Sequence, residues 1–273
     1  MNLYFLTLTI LFGAVPTFPT GYADIQPQAA EVSPSPSTPC PQGMVEIEWD
    51  YCPTVRQTCL RWVCPDGSPG CGPGKHFMNR CGEYQNPSVC LASKRVHKHF
   101  CIDQFEYPNV RGQVPRSWMS WYDADKTLKA EGKRICTNSE WTMACEGQDM
   151  HPLPYGNGYI RDRTACNFDN PLTLDVFKAK RPGDETAQRL DSMLVPSGSM
   201  SRCVSPYGIY DMPGNVDEWV INETGKPYVS GLKGGHIFGV RNACRPMTEA
   251  HGPTFSWYES SVRGCKSISN DRE

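Results

Sequence analysis

The 273-residue chain has no run of basic residues, and its formal net charge is −2. Nucleic-acid partners need a clustered Lys/Arg surface, so none is expected here. No internal repeat, G-x-S-x-G elbow or H-E-x-x-H helix occurs, which leaves out the common hydrolase and zinc-protease signatures. Long apolar runs are missing too. Mean hydropathy is −0.49, which argues against a multi-span membrane protein. The most apolar stretch, residues 1–15, falls short of the roughly 20 residues of a bilayer span. It reads instead as the core of a signal peptide. Gly21, Tyr22 and Ala23 put small residues at the end, so cleavage is expected after Ala23. No Lys or Arg lies in the leading segment, so the free amino terminus must supply its positive charge. The alternative is an uncleaved anchor. No Leu-x-x-Cys lipobox is present, which argues against a lipoprotein.

What the chain has in quantity is cysteine, 14 residues, together with 24 glycines and 24 prolines. With a signal peptide, that cysteine count reads as a disulfide framework in an oxidising compartment: secreted, periplasmic or at the cell surface. Seven cysteines precede residue 100 and seven follow it. Seven is odd, so either a bridge ties the two halves together or each half keeps a free thiol. A crossing bridge is favoured, because exposed free thiols are a liability outside the cell. Cys59 and Cys64 lie at a spacing that would also serve zinc, but disulfides are the stronger expectation.

Residues 24–39 form a Pro/Ser-rich tether without apolar periodicity, expected to be extended or disordered. The globular part is expected over 40–268, with a Cys-rich portion at 50–95 and a surface insertion at 66–75. Gly43 to Trp49 and Phe100 to Tyr107 alternate as strands. Ser120 can cap a helix running to Glu131, which Gly132 stops. Thr137 and Glu140 form a capping box for a second helix, with Trp141, Ala144 and Cys145 on its inner face. Little regular structure is expected from Gly147 to Pro206. Short strands are expected at 216–220 and 235–240.

The most informative stretch is Gly208-Ile-Tyr-Asp-Met-Pro-Gly-Asn-Val-Asp-Glu-Trp-Val220. Gly214-Asn215 is a turn signal. A tight turn aims carbonyls at one point, and Glu218 can aim its carboxylate there. Converging oxygens suit calcium. The competing reading is a turn and a strand, with Trp219 in the core and Asp217 and Glu218 solvated.

These pieces, in order, resemble the formylglycine-generating enzyme family, also called the sulfatase-modifying-factor domain. The resemblance rests on Gly43-Met44-Val45, Phe100 to Asn109, Met119 to Ala124, Gly132 to Trp141, Pro154-Tyr155-Gly156 and Ala165-Cys166-Asn167. It continues through Gly208 to Trp219, Lys233-Gly234-Gly235 and Val262 to Cys265. It implies an α+β fold, a loop-rich variant of the C-type lectin fold. It also implies two structural calcium sites. One would use Gly214 or Asn215, the Val216 carbonyl and Glu218. The other would use Asn167 and Phe168, with Asp191 a candidate acidic partner.

Active members of that family are copper-dependent oxidases that turn a substrate cysteine into formylglycine. Two cysteines after the Gly-Gly turn hold Cu(I), because soft thiolates select that ion. Counted from Gly234-Gly235, the first position falls on Gly239 and the second on or beside Cys244. Cys244 is thus the one candidate catalytic residue. A lone Cys244 among so many cysteines is expected to be half of a disulfide, with Cys265 a candidate partner. His236 and His251 could add ligands; the plainer reading has His251 hydrogen-bonded and His236 exposed. Asn222-Glu223-Thr224 is formally a glycosylation sequon. The resemblance therefore leaves two functions. One is an exported, calcium-stabilised domain that binds a peptide, protein or glycan in a cleft. The other is a working formylglycine-generating oxidase.

Overall fold

Alternation builds the first sheet. In the computed structural model, which describes residues 39–64, 80–171, 174–239 and 241–268, strand β1 runs Met44–Tyr51 and pairs antiparallel with β6, Val96–Asp103. The expected signal peptide and insertion, the tether up to residue 38 and Cys71 lie outside the described residues. Ile47 of β1 and Phe100 and Ile102 of β6 face inward and are buried. They meet Trp141 and Ala144 of α2, Asn138–Glu146, and Val220 of β8, Asp217–Ile221. Strands β12, Gly264–Ser267, and β7, Arg134–Ile135, complete the order β1-β6-β12-β7.

A second sheet has the order β10-β9-β8-β11, with β9 at Ser230–Lys233, β10 at Met247–Thr248 and β11 at Ser260–Val262. β11 runs parallel to β8 and the other pairs are antiparallel. Trp219, Leu232 and Val262 from this sheet meet Met119, Leu128 and Ile135 in a second apolar cluster. Each such aliphatic or aromatic side chain, fully buried, contributes about 1.5–3 kcal/mol. Two small ribbons come from the Cys-rich portion: β2, Val55–Arg56, with β5, Val89–Cys90, and β3, Cys59–Val63, with β4, Arg80–Tyr84.

Helix α1, Trp121–Ala130, starts where Ser120 accepts from the Asp123 amide and Asp123 reaches back. The same reciprocal box, Thr137 with Glu140, starts α2. Each box satisfies amides that the first helical turn leaves without partners. A third helix, α3 at Glu185–Asp191, occupies the stretch expected to be irregular. It is short, and Ala187 and Leu190 pin it to Ile237 and Phe238 from elsewhere in the chain. The strand expected at 100–107 instead ends at Asp103. There Asn109 folds the chain back, its side chain accepting from Phe105 N and donating to Asp103 and Gly43 O. No strand forms at the described residues of 235–240, because Gly234, Gly235 and Gly239 all hold positive φ.

Disulfides hold the loops. Cys40–Cys101 is the expected bridge between the two cysteine halves. Cys52–Cys90 and Cys59–Cys81 staple the N-terminal ribbons. Cys136–Cys265, Cys145–Cys244 and Cys166–Cys203 staple the remainder. Cys64 is bonded as well, and among the described residues no cysteine is free. The result is the sheet-rich, loop-rich α+β architecture expected for the formylglycine-generating-enzyme type. Among the described residues no helix is long and apolar enough to cross a membrane.

Candidate functional site

The turn at 214–215 is a junction. Gly214 has φ +90, and a Cβ there would lie 2.6 Å from the Asn167 carbonyl oxygen. Only glycine fits that approach. The Gly214 amide donates to Gly234 O and the Asn215 amide to Asn167 O. Asn215 Oδ1 accepts from Val195 N at 3.0 Å and from Asn167 Nδ2 at 2.9 Å. Its Nδ2 donates to Glu106 Oε2 at 2.9 Å and to Val195 O at 3.1 Å. The structure thus brings Asn167, Gly214, Asn215 and Val216 together, with Phe168 buried beside them and stacked on Tyr155. Asp191 is not drawn in by any of these bonds; it accepts from Ser117.

Glu218 departs from the reading that left it solvated. It is not solvated, since its exposure is 0 %. Nor is its carboxylate free for a cation. Arg263 reaches it twice, Nη2 to Oε1 at 2.8 Å and Nε to Oε2 at 3.0 Å, and Trp141 Nε1 donates to Oε2 at 2.6 Å. Arg263 is equally buried. A planar guanidinium fork meets a carboxylate in this way, and the pair neutralises itself. As it stands the Glu218 carboxylate does not fit a calcium ligand, because an ion would have to displace the guanidinium. Beside this turn two buried carboxylate oxygens have no hydrogen-bond partner, Glu106 Oε1 and Asp217 Oδ2. Burial, with Asp211 and Glu218 nearby, holds the Glu106 carboxyl well above the ordinary carboxylate range.

The loop after Gly234-Gly235 carries the two positions expected to hold copper. Cys244, the candidate catalytic residue, is bridged to Cys145 of α2. A disulfide sulfur offers no thiolate. Cys265, its candidate partner, is instead joined to Cys136. Gly239, at the first cysteine position, has φ +73, and a Cβ there would run into Asp169 Oδ1 and stand 2.9 Å from Arg80 Cζ. A buried ion pair therefore fills the space into which a side chain at 239 would project. Arg80 Nε lies 2.7 Å from Asp169 Oδ1, and Arg161 grips the same carboxylate at 2.7 and 2.8 Å. Arg80 Nη1 also donates to Gly239 O at 2.7 Å.

His236, expected to be exposed, is 6 % exposed. Its Nε2 lies 3.1 Å from Glu259 Oε2. Burial lowers its pKa to about 4 and raises those of Glu259 to about 7 and Asp217 to about 6. His251 stacks on Phe255 at 3.8 Å between ring centroids. Asn222 is 2 % exposed and donates to Lys226 O and Tyr228 O, so its amide is closed to a glycosyl donor. Lys233 is buried against the Trp141 ring and donates to Asn138 Oδ1 and Arg245 O, with its pKa lowered by burial to about 7.

Between this loop and the β3–β4 ribbon lies a pocket of about 260 Å³. Arg80, Arg161 and Arg241 line it, with Trp62, Tyr84 and Asn242. Asp169 offsets Arg80 and Arg161, and Arg241 Nη2 stands 3.5 Å from Asp217 Oδ2. Arg241 Nε has no partner although it is buried. Glu259 also faces Arg241, so three guanidiniums meet three carboxylates. Burial raises Asp217 to about 6 and Glu259 to about 7, and the pocket carries surplus positive charge beside its aromatic walls once either takes up a proton. A larger groove of about 650 Å³ near Tyr155 and Arg202 is more open. Its charged groups, Asp162 and Arg202, satisfy each other at 2.6 Å. The arginine pocket is therefore the better candidate. Sequence reasoning missed it because Arg80, Arg161 and Arg241 are far apart in the chain and share no motif.

Comparison with known proteins gives a family match. The model of the sulfatase-modifying factor enzyme 1-like domain matches residues 76–261. The formylglycine-generating enzyme of Thermomonospora curvata is 32 % identical over 113 residues, covering 40 % of this chain and 33 % of that protein. The inactive C-alpha-formylglycine-generating enzyme 2 of Bos taurus is 27 % identical over 122 residues, covering 44 % of this chain and 35 % of that protein. Among solved structures, that of CarF matches with a TM-score of 0.47 at 14 % identity, covering 83 % of this chain and 98 % of that one. The chain spans from about a fifth to about a third of the length of the curated relatives it matches.

Proposed function

The chain belongs to the sulfatase-modifying factor enzyme 1-like family, and we propose that it is a member that binds a ligand rather than one that oxidises it. It acts as an exported, disulfide-stapled binding or accessory domain. The observation that carries this reading is the state of the two copper positions. Cys244 is consumed in a bridge, and the space beside Gly239 is filled by Asp169 and Arg80. No thiolate pair is left there to hold Cu(I). The relative from Bos taurus bears an inactive name, so loss of activity has company among similar sequences. The six described bridges favour a secreted, periplasmic or cell-surface location.

The ligand we propose is an acidic segment of a peptide or protein, seated by one carboxylate in the arginine pocket with its apolar part against Trp62 and Tyr84. Guanidinium forks are matched to carboxylates, and a glycan without acid groups would leave the surplus charge unmet. Two measurements on the full chain test the reading. After loading with Cu(I), oxygen uptake on a cysteine-containing peptide should be absent; turnover would restore the oxidase. A fluorescent Asp/Glu-rich peptide should bind, and Arg241→Gln should weaken it about tenfold, the loss of one charge-assisted hydrogen bond. Equal binding by the variant would remove the pocket from the proposal.

Calcium is a separate part of the proposal. An ion at the turn would take a carbonyl of Gly214 or Asn215 and that of Val216, and would compete with Arg263 for Glu218. A melting temperature that rises with calcium and falls with a calcium chelator supports it, and an unchanged midpoint removes it.

A further inference from the structure

The outer face of the first sheet carries an arrangement unrelated to the arginine pocket. Along β1, Glu46, Glu48 and Asp50 alternate with Val45, Ile47 and Trp49, of which Ile47 is buried, so the three acids share one face. Along β6, His97 and His99 alternate with Lys98 and Phe100 and take the same face. The register sets Glu48 opposite His99 and Asp50 opposite His97. Glu46 lies opposite Cys101, which is bridged to Cys40. That bridge pins the end of the strand pair where the ligands converge.

The side chains meet as the register predicts. His99 Nε2 lies 2.8 Å from Glu46 Oε1 and 4.0 Å from Glu48 Oε2. His97 Nε2 lies 3.5 Å from Glu48 Oε1, and its Nδ1 lies 3.1 Å from Asp50 Oδ1. Glu48 thus turns one oxygen to each imidazole. One ligand atom each from Glu46, Glu48 and His99 falls within 4.8 Å of the others.

We propose that Glu46, Glu48 and His99 form a site for a divalent transition-metal ion of the zinc class, with His97 available as a further ligand. The chemistry favours that class. Imidazole with carboxylate suits zinc, whereas calcium and magnesium want oxygen alone. Three protein ligands leave a fourth tetrahedral position for water or for His97. A metal ion takes the place of the proton that an imidazole and a carboxylate otherwise share. The competing explanation is a set of cross-strand His–carboxylate pairs, each contributing roughly 0.2–1 kcal/mol to the sheet. That explanation requires pairs only. It does not require a second carboxylate turned to His99, nor a carboxylate divided between two rings. No described cysteine is free to compete for the ion.

The test is zinc titration of the chelator-treated full-length protein, followed by calorimetry and by the histidine ring resonances. The wild type is expected to take up one zinc at this face, with the His99 ring signals shifting. His99→Ala should weaken uptake at least a hundredfold, and Glu48→Gln about tenfold. His151→Ala, remote on another loop, should match the wild type. Glu48→Gln is isosteric and sits on an exposed strand face, so unchanged circular dichroism and melting temperature will separate lost binding from lost folding. Magnesium should give no shift of the ring signals. The proposal is overturned if the wild type takes up no zinc. It is equally overturned if the His97→Ala/His99→Ala double variant binds zinc as the wild type does, since the ion would then sit elsewhere.

Discussion

Replacing Gly239 by alanine asks whether the loop that should present a first thiolate has been closed. Two costs add at this position. The backbone sits at φ +73, where a residue with a Cβ is strained by roughly 1–2 kcal/mol. The new Cβ also meets the Asp169 carboxylate and the Arg80 guanidinium, both buried. Forcing that pair apart leaves uncompensated charge, at about 3–5 kcal/mol. The expected loss is therefore at least about 4 kcal/mol. Gly225→Ala is the matched control. Its φ is +66, and nothing lies within 4 Å of the Cβ it would gain. It should lose only the strain, about 1 kcal/mol. Urea unfolding without reductant, so that the bridges stay intact, measures both. In a domain of this size each kcal/mol moves the melting temperature by about 2–4 °C. A gap of roughly 6–12 °C between the two variants follows. If Gly239→Ala falls within about 1 kcal/mol of Gly225→Ala, the ion pair yields freely. A cysteine at 239 would then be sterically acceptable, and the argument against a copper site would fall back on Cys244 alone.

Glu259→Gln should change the pH dependence of stability. Burial raises the Glu259 carboxyl to about 7, so its contribution is full below its unfolded value and is lost as pH rises through about 7. Asp217, raised to about 6, acts in the same direction. His236, lowered to about 4, opposes them by losing stability as pH falls from about 6.5. The clean window is pH 6.5 to 7.5, where Glu259 dominates. There the wild type should decline on the order of 1 kcal/mol per pH unit relative to the variant; parallel curves would refute the burial argument. Removing the Cys145–Cys244 bridge as a double serine variant should cost about 2–4 kcal/mol, read as a lowered melting temperature, and should create no copper-dependent oxygen uptake. Melting in calcium against melting in a calcium chelator tests the turn. A rise of several degrees with calcium supports a bound ion, and an unchanged midpoint removes calcium from the proposal.

The sequence by itself determined the parts that depend on near neighbours. Ser120 with Asp123 and Thr137 with Glu140 lie three residues apart, and both capping boxes form as spacing requires. The alternation of β1 needs only its own residues. Parity left a crossing bridge or a free thiol in each half, the liability of a free thiol favoured the bridge, and Cys40–Cys101 supplies it. The order of short motifs was enough to identify the family. Tertiary structure decided what depends on partners distant in the chain. Cys244 looked like a thiol or a half-cystine until α2 delivered Cys145 to it. Glu218 could read as a solvated acid because no local rule brings Arg263, 45 residues on, to its carboxylate. His236 read as exposed because its burial comes from Tyr258 and Glu259. Gly239 looked like an empty ligand position, and only the fold fills its surroundings with Arg80 and Asp169. Hydrogen bonds between neighbours in sequence are fixed by backbone geometry, whereas the charge and access of a buried group are fixed by whichever distant segment closes over it.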